Sequence, residues 1–485
     1  MTKSTNTMRL TLSAIALAVL AACSTTPPPR PSLDLPLPAA SAPGTPTQAE
    51  LESWWLQFND PPLTALIDEA FANNLDLKSA VARIDEARAN LRAARSFLLP
   101  SLDAQFNSSR GQISQSTNPG LGPPWTGTVH SAQLVAAYEV DVWGRVRAGR
   151  DAAASSLLAA TLDAQTVRIA LAAEIANAYF TLRGFDAELA VTRETLITRD
   201  DSVRLQRRRS DAGESSRFDL AQAEAERASV AANIPPLERA VAVSQSALAV
   251  LVGRTPRQVF TPQIARGAEL EKAAAPEVPS GLPADLLARR PDVLRAEAVM
   301  GTTEASIAEA RAQYFPRVLL TASYGSESRE LSDLFSGPAL IWSLAAGIVQ
   351  PIIGLERIGA QVEAAEAFNR QGQIAYVQTV QGAFREAHDA LVAHRAARES
   401  FVAQVERRDK LAETLRLANI RYKSGYTGQL EVLDAQRGLL SAERDRIIAL
   451  RNRQSALVDL YKALGGGWSP QSVLAEQGAA QPKAN

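Results

Sequence analysis

The chain has 485 residues and an almost even charge balance, with 51 basic against 52 acidic side chains. Such a balance provides no electrostatic field for nucleic acid or another polyanion. Three histidines and one cysteine leave little material for metal or nucleophile chemistry, and the sequence contains no phosphate-binding loop and no nucleophile elbow. Composition therefore argues against an enzyme, a cofactor and a metal site.

The N-terminal segment has the layout of a secretory signal, with basic residues, an uncharged stretch over residues 10–20 and small residues before Cys23. The sequence Leu-Ala-Ala-Cys at positions 20–23 resembles a bacterial lipobox, in which the cysteine is acylated after cleavage. We therefore expect residues 1–22 to be a lipoprotein signal peptide and Cys23 to be the lipid attachment site. Ser24 stands where an aspartate would favour the inner membrane, so we expect outer-membrane sorting.

Residues 23–50 follow as a proline-rich segment, with eight prolines between positions 27 and 46. This composition favours an extended, semi-rigid tether over a packed core. The tether is expected to join the lipid anchor to a body of two repeats, over residues 51–270 and 271–470. Residues 471–485 are expected to form a flexible C-terminal tail.

The two repeats are related by an internal duplication with spacings of 210 to 216 residues. Residues 76–100 match residues 292–316 without a gap. Further matched positions are Gly144 with Gly354, Arg147 with Arg357, Arg209 with Arg421 and Gly213 with Gly425. A period this long indicates a duplicated structural half and not a solenoid module.

Each repeat predicts the same order of elements: a helix, two strands, then two long helices separated by a short turn that contains glycine. Residues 144–209 and 356–423 contain no proline and are rich in good helix formers, so each is expected to form one unbroken helix. A helix of that length spans about 100 Å at about 1.5 Å per residue. Ile234-Pro235-Pro236 predicts a break between shorter helices, because proline disrupts a helix interior but suits a first turn.

Four short segments alternate apolar and polar residues with period two, which is typical of strands with two unlike faces. The segments are 102–109, 130–141, 318–324 and 340–348. The uncharged run 337–355 is also long enough for a membrane-spanning helix. A strand is the better interpretation, because the run contains prolines and its duplicate contains Glu139 and Asp141.

Four strands cannot close a barrel, and an open sheet edge in lipid would leave backbone groups unpaired. Several chains must therefore share one barrel. Two copies would provide eight strands and three copies twelve, and both counts fall within the range of known outer-membrane barrels. The strand count alone leaves the choice between two and three copies open.

Five motifs occur in order along the two repeats. They are Tyr138-Glu139-Val140-Asp141-Val142-Trp143-Gly144-Arg145-Val146-Arg147, Ala288-Arg289-Arg290-Pro291-Asp292-Val293, Ala310-Arg311-Ala312-Gln313-Tyr314-Phe315-Pro316, Val432-Leu433-Asp434-Ala435-Gln436-Arg437 and Gly465-Gly466-Gly467-Trp468. Together with the lipobox they resemble signatures of the NodT/OprM-type outer-membrane efflux lipoproteins of the TolC superfamily, over residues 20–470. The resemblance implies a mostly α protomer with a small β part, which forms a homotrimer with a twelve-stranded β-barrel and a periplasmic α-helical barrel.

The resemblance also implies that the turns 210–215 and 424–428 lie at the periplasmic tip of the tunnel. Glu431 and Asp434 are three residues apart on one helical face and match the family's acidic pair at the periplasmic constriction. The alternative is a helix start that merely favours acidic residues.

A second pair, Asp219 and Tyr422, matches a polar latch that holds neighbouring tip helices together in related proteins. Thr427 stands where those proteins can carry an arginine. The resemblance therefore implies a latch in which one arm is missing, and a closed state that is weaker or differently connected.

The implied function is that of a passive outer-membrane channel in a tripartite efflux system, which conducts drugs or other toxic small molecules. The implied partners are a periplasmic adaptor protein, an inner-membrane pump of the RND type and outer-membrane lipid. The alternative is a structural or adhesive periplasmic coiled-coil lipoprotein. That alternative would explain the anchor and the apolar residues at three- and four-residue spacing over 377–391, but not four amphipathic strands.

Overall fold

The computed structural model describes residues 51–113, 125–267, 270 and 289–469. The predicted signal peptide, the tether with Cys23 and the C-terminal tail all lie outside the described residues. The interpretations of those three segments therefore remain predictions from the sequence.

The predicted order of elements recurs in both halves of the chain. After a 3-10 helix at Trp54–Phe58, the first half contains α1 (Pro61–Asn73), α2 (Leu75–Ser96), β1 (Ser101–Ile113), β2 (Trp125–Val140), α3 (Arg145–Asp211), α4 (Arg217–Ala232), α5 (Ile234–Leu251) and α6 (Pro256–Phe260). The second half contains α7 (Pro291–Ala312), β3 (Arg317–Ser328), β4 (Leu340–Val349), α8 (Leu355–Lys423) and α9 (Gln429–Ala463). Two 3-10 turns, Leu331–Asp333 and Gly337–Ala339, lie between β3 and β4.

Both predicted unbroken helices are confirmed, since α3 has 67 residues and α8 has 69. The predicted break is confirmed as well, because α4 ends at Ala232 and α5 begins at Ile234 with prolines in its first turn. Proline is tolerated there because the first N–H groups of a helix have no partner within it. No helix in the described part of the chain has both the length and the hydropathy needed to cross a membrane.

The chain divides into two compact units, and each unit draws on both halves of the repeat. Among the described residues, the first unit contains 84–160 and 296–377, which include all four strands. The second unit contains 51–83, the described parts of 161–295, and 378–469. The duplication therefore does not coincide with the compact units.

The four strands form one antiparallel sheet in the order β1-β2-β3-β4. Its register aligns the apolar faces that the sequence predicts, because Ala104 pairs with Leu134, Leu134 with Tyr324, and Tyr324 with Trp342. A neighbouring row is Leu102, Ala136, Ala322 and Leu344. All four predicted strands and their shared apolar face are thus confirmed.

Within the described residues, the apolar face of this sheet is uncovered. Leu102 is 68% exposed, Trp342 73% and Leu344 77%. Contiguous apolar surface of this kind marks a membrane or protein interface. Within the described residues, β1 and β4 are the edges of the sheet, and each pairs with a neighbour on one side only.

The first motif builds the joint between β2 and α3. The Asp141 carboxylate accepts hydrogen bonds from the backbone N–H groups of Val146 (3.0 Å) and Arg147 (2.9 Å), which caps the first turn of α3. The Glu139 carboxylate binds both the Arg145 guanidinium, at 2.9 and 3.0 Å, and Arg317 of β3 at 2.8 Å. The charged residues of this motif therefore fix the direction in which the long helix leaves the sheet.

The second motif ties the start of α7 to two other helices. The Arg290 guanidinium binds the carboxylates of Asp292, at 2.6 and 3.0 Å, and Glu386 of α8 at 2.7 Å. Its remaining terminal nitrogen donates to the Ala463 carbonyl at the end of α9 (2.9 Å). A single buried arginine thus positions the beginning of the second repeat's first helix.

The main core of the second unit surrounds Trp54, whose ring stacks on Tyr461 with centroids 5.7 Å apart. A buried polar network lies beside it. The Tyr179 hydroxyl donates to the Asp60 carboxylate (3.0 Å) and accepts from Arg183 (3.0 Å) and from the backbone N–H of Gly267 (2.9 Å). Burial raises the pKa of Tyr179, so this hydroxyl keeps its proton and its role as a donor.

The helices α3 and α8 end in the same turn, in line with the duplication. The N–H of Glu214 donates to the Arg209 carbonyl (2.7 Å), and the N–H of Tyr426 donates to the Arg421 carbonyl (2.9 Å). Gly213 occupies the left-handed position between the first pair, with φ of 75°. This is the Schellman arrangement, in which carbonyls left free at a helix end find partners.

Gly253, just after α5, and Gly213, just after α3, provide a matched test of packing at helix ends. Their φ angles are 76° and 75°. A Cβ at Gly253 would overlap the backbone carbonyl of Asn73, whereas a Cβ at Gly213 would meet open space. Both alanine variants incur the left-handed penalty of about 1–2 kcal/mol, but only Gly253→Ala also displaces the end of α1. We expect Gly253→Ala to lower the midpoint of thermal unfolding, followed by circular dichroism, by about 1–3 °C more than Gly213→Ala does, since overpacking costs about 1–3 kcal/mol and a chain of this length shifts by about 1 °C per kcal/mol. Equal midpoints would contradict this packing.

Candidate functional site

The candidate site lies where α3 and α8 end and α4 and α9 begin, around the turns 212–216 and 424–428. The Schellman turns reverse the chain at these points and bring the last turns of the long helices beside the first turns of the shorter ones. Glu431, Asp434, Asp219 and Tyr422 lie on these four helix ends, and Thr427 lies in the turn between α8 and α9.

Tyr422, in the last turn of α8, is bound to α3. Its hydroxyl accepts hydrogen bonds from the Gln206 side-chain amide (2.9 Å) and from the Arg209 guanidinium (2.9 Å). The Arg209 guanidinium carbon also lies 5.7 Å from the centroid of the Tyr422 ring. Gln206 is only 4% exposed, so its contact with the tyrosine is shielded from water.

Asp219, in the first turn of α4, has different partners. Its carboxylate accepts from the Ser216 hydroxyl (2.8 Å) and the Ser216 backbone N–H (3.3 Å), while its own N–H donates to the Ser216 hydroxyl oxygen (3.1 Å). This reciprocal capping box holds the start of α4. Among the described residues no hydrogen bond joins Asp219 to Tyr422, so the structure places both at the helix ends without bringing them together.

Glu431 and Asp434 are exposed positions of α9, whereas Val432, Leu433 and Ala435 between and beside them are buried. The Glu431 carboxylate is 3.8 Å from the Arg421 guanidinium. Gly428 precedes α9 and provides no side-chain cap, so neither acid completes a capping box. Both carboxylates are exposed, and Glu431 is paired with Arg421 at the surface of α9.

The sequence analysis missed Gln206 and Arg209 as partners of Tyr422. The available signal was the match of Arg209 with Arg421, which marks equivalent ends of the two long helices. Thr427 stands where an arginine was expected, and its hydroxyl oxygen is buried and has no hydrogen-bond partner within the described residues. Arg209 thus supplies a cation at Tyr422 from a different helix.

A metal site does not form at the described residues, where no group of three or more histidine, cysteine or acidic side chains has the required geometry. His388 contacts Asp389, with 3.4 Å between the ring nitrogen and the carboxylate, and both side chains are exposed. The chemistry available at the four helix ends is therefore charge and hydrogen bonding.

Comparison with known proteins gives a consistent result. The family model described as outer membrane efflux protein matches residues 66–254 and 282–466. The toluene efflux pump outer membrane protein TtgC of Pseudomonas putida is 35% identical over 444 residues, which cover 90% of each chain. Outer membrane protein OprJ of Pseudomonas aeruginosa is 35% identical over 413 residues, or 84% of this chain and 85% of OprJ. The open state of the Neisseria gonorrhoeae MtrE outer membrane channel has a TM-score of 0.80 at 30% identity, over 91% of this chain and 98% of MtrE.

Tyr422→Phe tests the contact between α8 and α3. The variant keeps the ring but leaves Gln206 and Arg209 without their shared acceptor, at a local cost of about 1–3 kcal/mol. We expect faster amide hydrogen exchange in the last turns of α3 and α8, measured by mass spectrometry on the purified protein. Tyr426→Phe is the matched control, because Tyr426 lies in the same turn and is 81% exposed. Equal exchange in the two variants would show that the Tyr422 hydroxyl does not hold these helix ends.

Proposed function

The chain belongs to the outer membrane efflux protein family, and we propose that three copies of it form the passive outer-membrane channel of a tripartite efflux system. The cargo would be small molecules, namely drugs or other toxic compounds, that move from the periplasmic side to the exterior. One observation carries this proposal: the four-stranded sheet has an aligned, uncovered apolar face and two open edges.

An open sheet of this kind is stable in lipid only if its edges pair with other strands. Copies of the same chain are the simplest source of partners, because β1 of one copy can pair with β4 of the next around a symmetric ring. Three copies of four strands give twelve, within the range of known outer-membrane barrels. A structural coiled-coil lipoprotein would have no use for a sheet with these properties.

The energy for transport must come from other proteins, because the sequence contains no phosphate-binding loop. We therefore propose that a periplasmic adaptor connects the channel to an inner-membrane pump of the RND type. A role in conduction and not in catalysis is supported by the matched relatives, which are named as efflux and outer-membrane proteins.

Glu431 and Asp434 are proposed to line the periplasmic constriction. Their exposure on one side of α9, without a capping role, supports this assignment. Threefold symmetry would bring two carboxylates from each chain into one ring, where they attract cations. Two sets of contacts are proposed to keep the helix ends in place beside that ring. One is the contact of Tyr422 with Arg209 and Gln206, and the other is the capping box through which Asp219 holds the start of α4.

The proposal is tested by adding the purified full-length protein to planar lipid bilayers and by deleting its gene in the native host. We expect discrete single-channel currents from the protein and higher accumulation of an exported dye in the deletion strain. Intact protein that inserts into the bilayer without conducting would instead favour a structural lipoprotein.

The double variant Glu431→Gln/Asp434→Asn tests the acidic ring. It removes charge at nearly constant volume, so we expect a lower preference for cations in single-channel recordings and weaker block by multivalent metal cations. Glu406→Gln/Asp409→Asn is the matched control, since it has the same residue types at the same spacing on the exposed surface of α8. If both double variants retain the ion selectivity of the unmodified channel, the constriction lies elsewhere.

Cys23→Ser tests the lipid anchor. We expect the variant to lose all incorporation of palmitate in metabolic labelling, because Cys23 is the only cysteine in the chain. Oligomer assembly should persist, since strand pairing and helix packing carry the association. Ser24→Ala is the adjacent control and should still be labelled. Continued labelling of Cys23→Ser would contradict acylation at this position.

A further inference from the structure

A solvent-accessible cleft of about 540 Å³ lies between α3, α4 and α9 in the second unit. Its charged lining consists of Arg199 of α3, Glu226 of α4, and Arg437, Arg444 and Asp445 of α9. Arg199 also lines a smaller cavity of about 230 Å³, together with Gln436 and the acidic residues Glu194 and Glu443. No role described above uses either space.

Arg199 is an unusual member of this lining because it is only 3% exposed. One terminal nitrogen donates to the side-chain oxygen of Gln436, a neutral amide. Its Nε has no hydrogen-bond partner among the residues that the structure describes. A buried guanidinium whose hydrogen-bond partner is a neutral amide is costly. Burial lowers the pKa of Arg199, and the nearby Glu226 carboxylate opposes that shift.

The carboxylates of the cleft are already engaged by other arginines. Glu226 is paired with Arg437, and Asp445 binds Arg407 of α8 at 2.7 Å. Arg444 lies 3.7 Å from Glu188, a buried residue outside the cleft lining. The cleft is therefore lined by three cations and two carboxylates, which leaves one positive charge in excess beside the unsatisfied Nε of Arg199.

We propose that this cleft binds a small oxyanion, such as phosphate, sulfate or a carboxylate, with Arg199 as its principal ligand. One terminal nitrogen of this guanidinium donates to Gln436, and the donors that remain can bind the oxygens of such an anion through charge-assisted hydrogen bonds. Arg444, which is partly exposed, adds positive charge on the α9 side of the cleft. A bound anion would neutralise the excess charge and link α3 to α9.

Inorganic phosphate is the probe for this site. The purified full-length protein is titrated with phosphate in a calorimeter, with chloride adjusted to hold the ionic strength constant. We expect saturable binding of one phosphate per chain. Arg199→Gln should weaken phosphate binding about tenfold or more, because it removes a charge-assisted contact. The affinity of Arg199→Lys for phosphate should lie between those of the unmodified protein and of Arg199→Gln.

Arg207→Gln is the matched control, since Arg207 lies on the same helix but is exposed and paired with Glu224 outside the cleft. This control should bind phosphate like the unmodified protein. The proposal is overturned if binding is not saturable, or if Arg199→Gln and Arg207→Gln bind phosphate equally well.

The unmodified protein provides an independent measurement if Arg199→Gln fails to assemble. Crystals soaked in selenate should show an anomalous peak within hydrogen-bond distance of the Arg199 guanidinium. A cleft without that peak at saturating selenate would reject the site. Neither experiment depends on conduction, so its outcome is distinct from that of the channel proposal.

Discussion

The pairing of backbone N–H and C=O groups at the edges of the sheet is the constraint on which the rest of the structure depends. In the part of the chain that the structure describes, β1 and β4 are edges, and the apolar face between them is uncovered. Water can satisfy such groups, but lipid cannot. The sheet is therefore compatible with the outer membrane only as one segment of a larger closed ring, which makes association part of the fold of each chain.

The duplicated halves differ at the joint between the second strand of each half and the long helix that follows it. In the first half, the carboxylates of Glu139 and Asp141 secure the start of α3. In the second half, the amide of Gln350 donates to the carbonyls of Tyr314 and Pro351 at the corresponding joint. The two long helices thus end in the same Schellman turn but begin with different contacts.

The sequence was sufficient to predict elements whose signal is local, and insufficient for contacts between distant residues. Period-two alternation located all four strands, and long runs without proline located α3 and α8. The pairing of Arg209 with Tyr422 joins residues 213 positions apart, and helix periodicity contains no information about it. The burial of Arg199 could not be predicted from the sequence either. An arginine in a long helix is normally exposed, and only the packing of α4 and α9 against α3 buries this one. The acidic pair of α9 was found through its resemblance to a family motif, and the structure adds its exposure and its lack of a capping role.

The number of chains in the assembled particle tests the central claim most directly, because the closed ring of strands depends on it. Native mass spectrometry of the detergent-purified protein, released from its micelle, measures this number without reference to transport. We expect a particle that contains three copies of the mature chain and persists when the helix-end contacts are weakened. A particle of two copies, or a stable monomer that remains in the outer membrane, would contradict it.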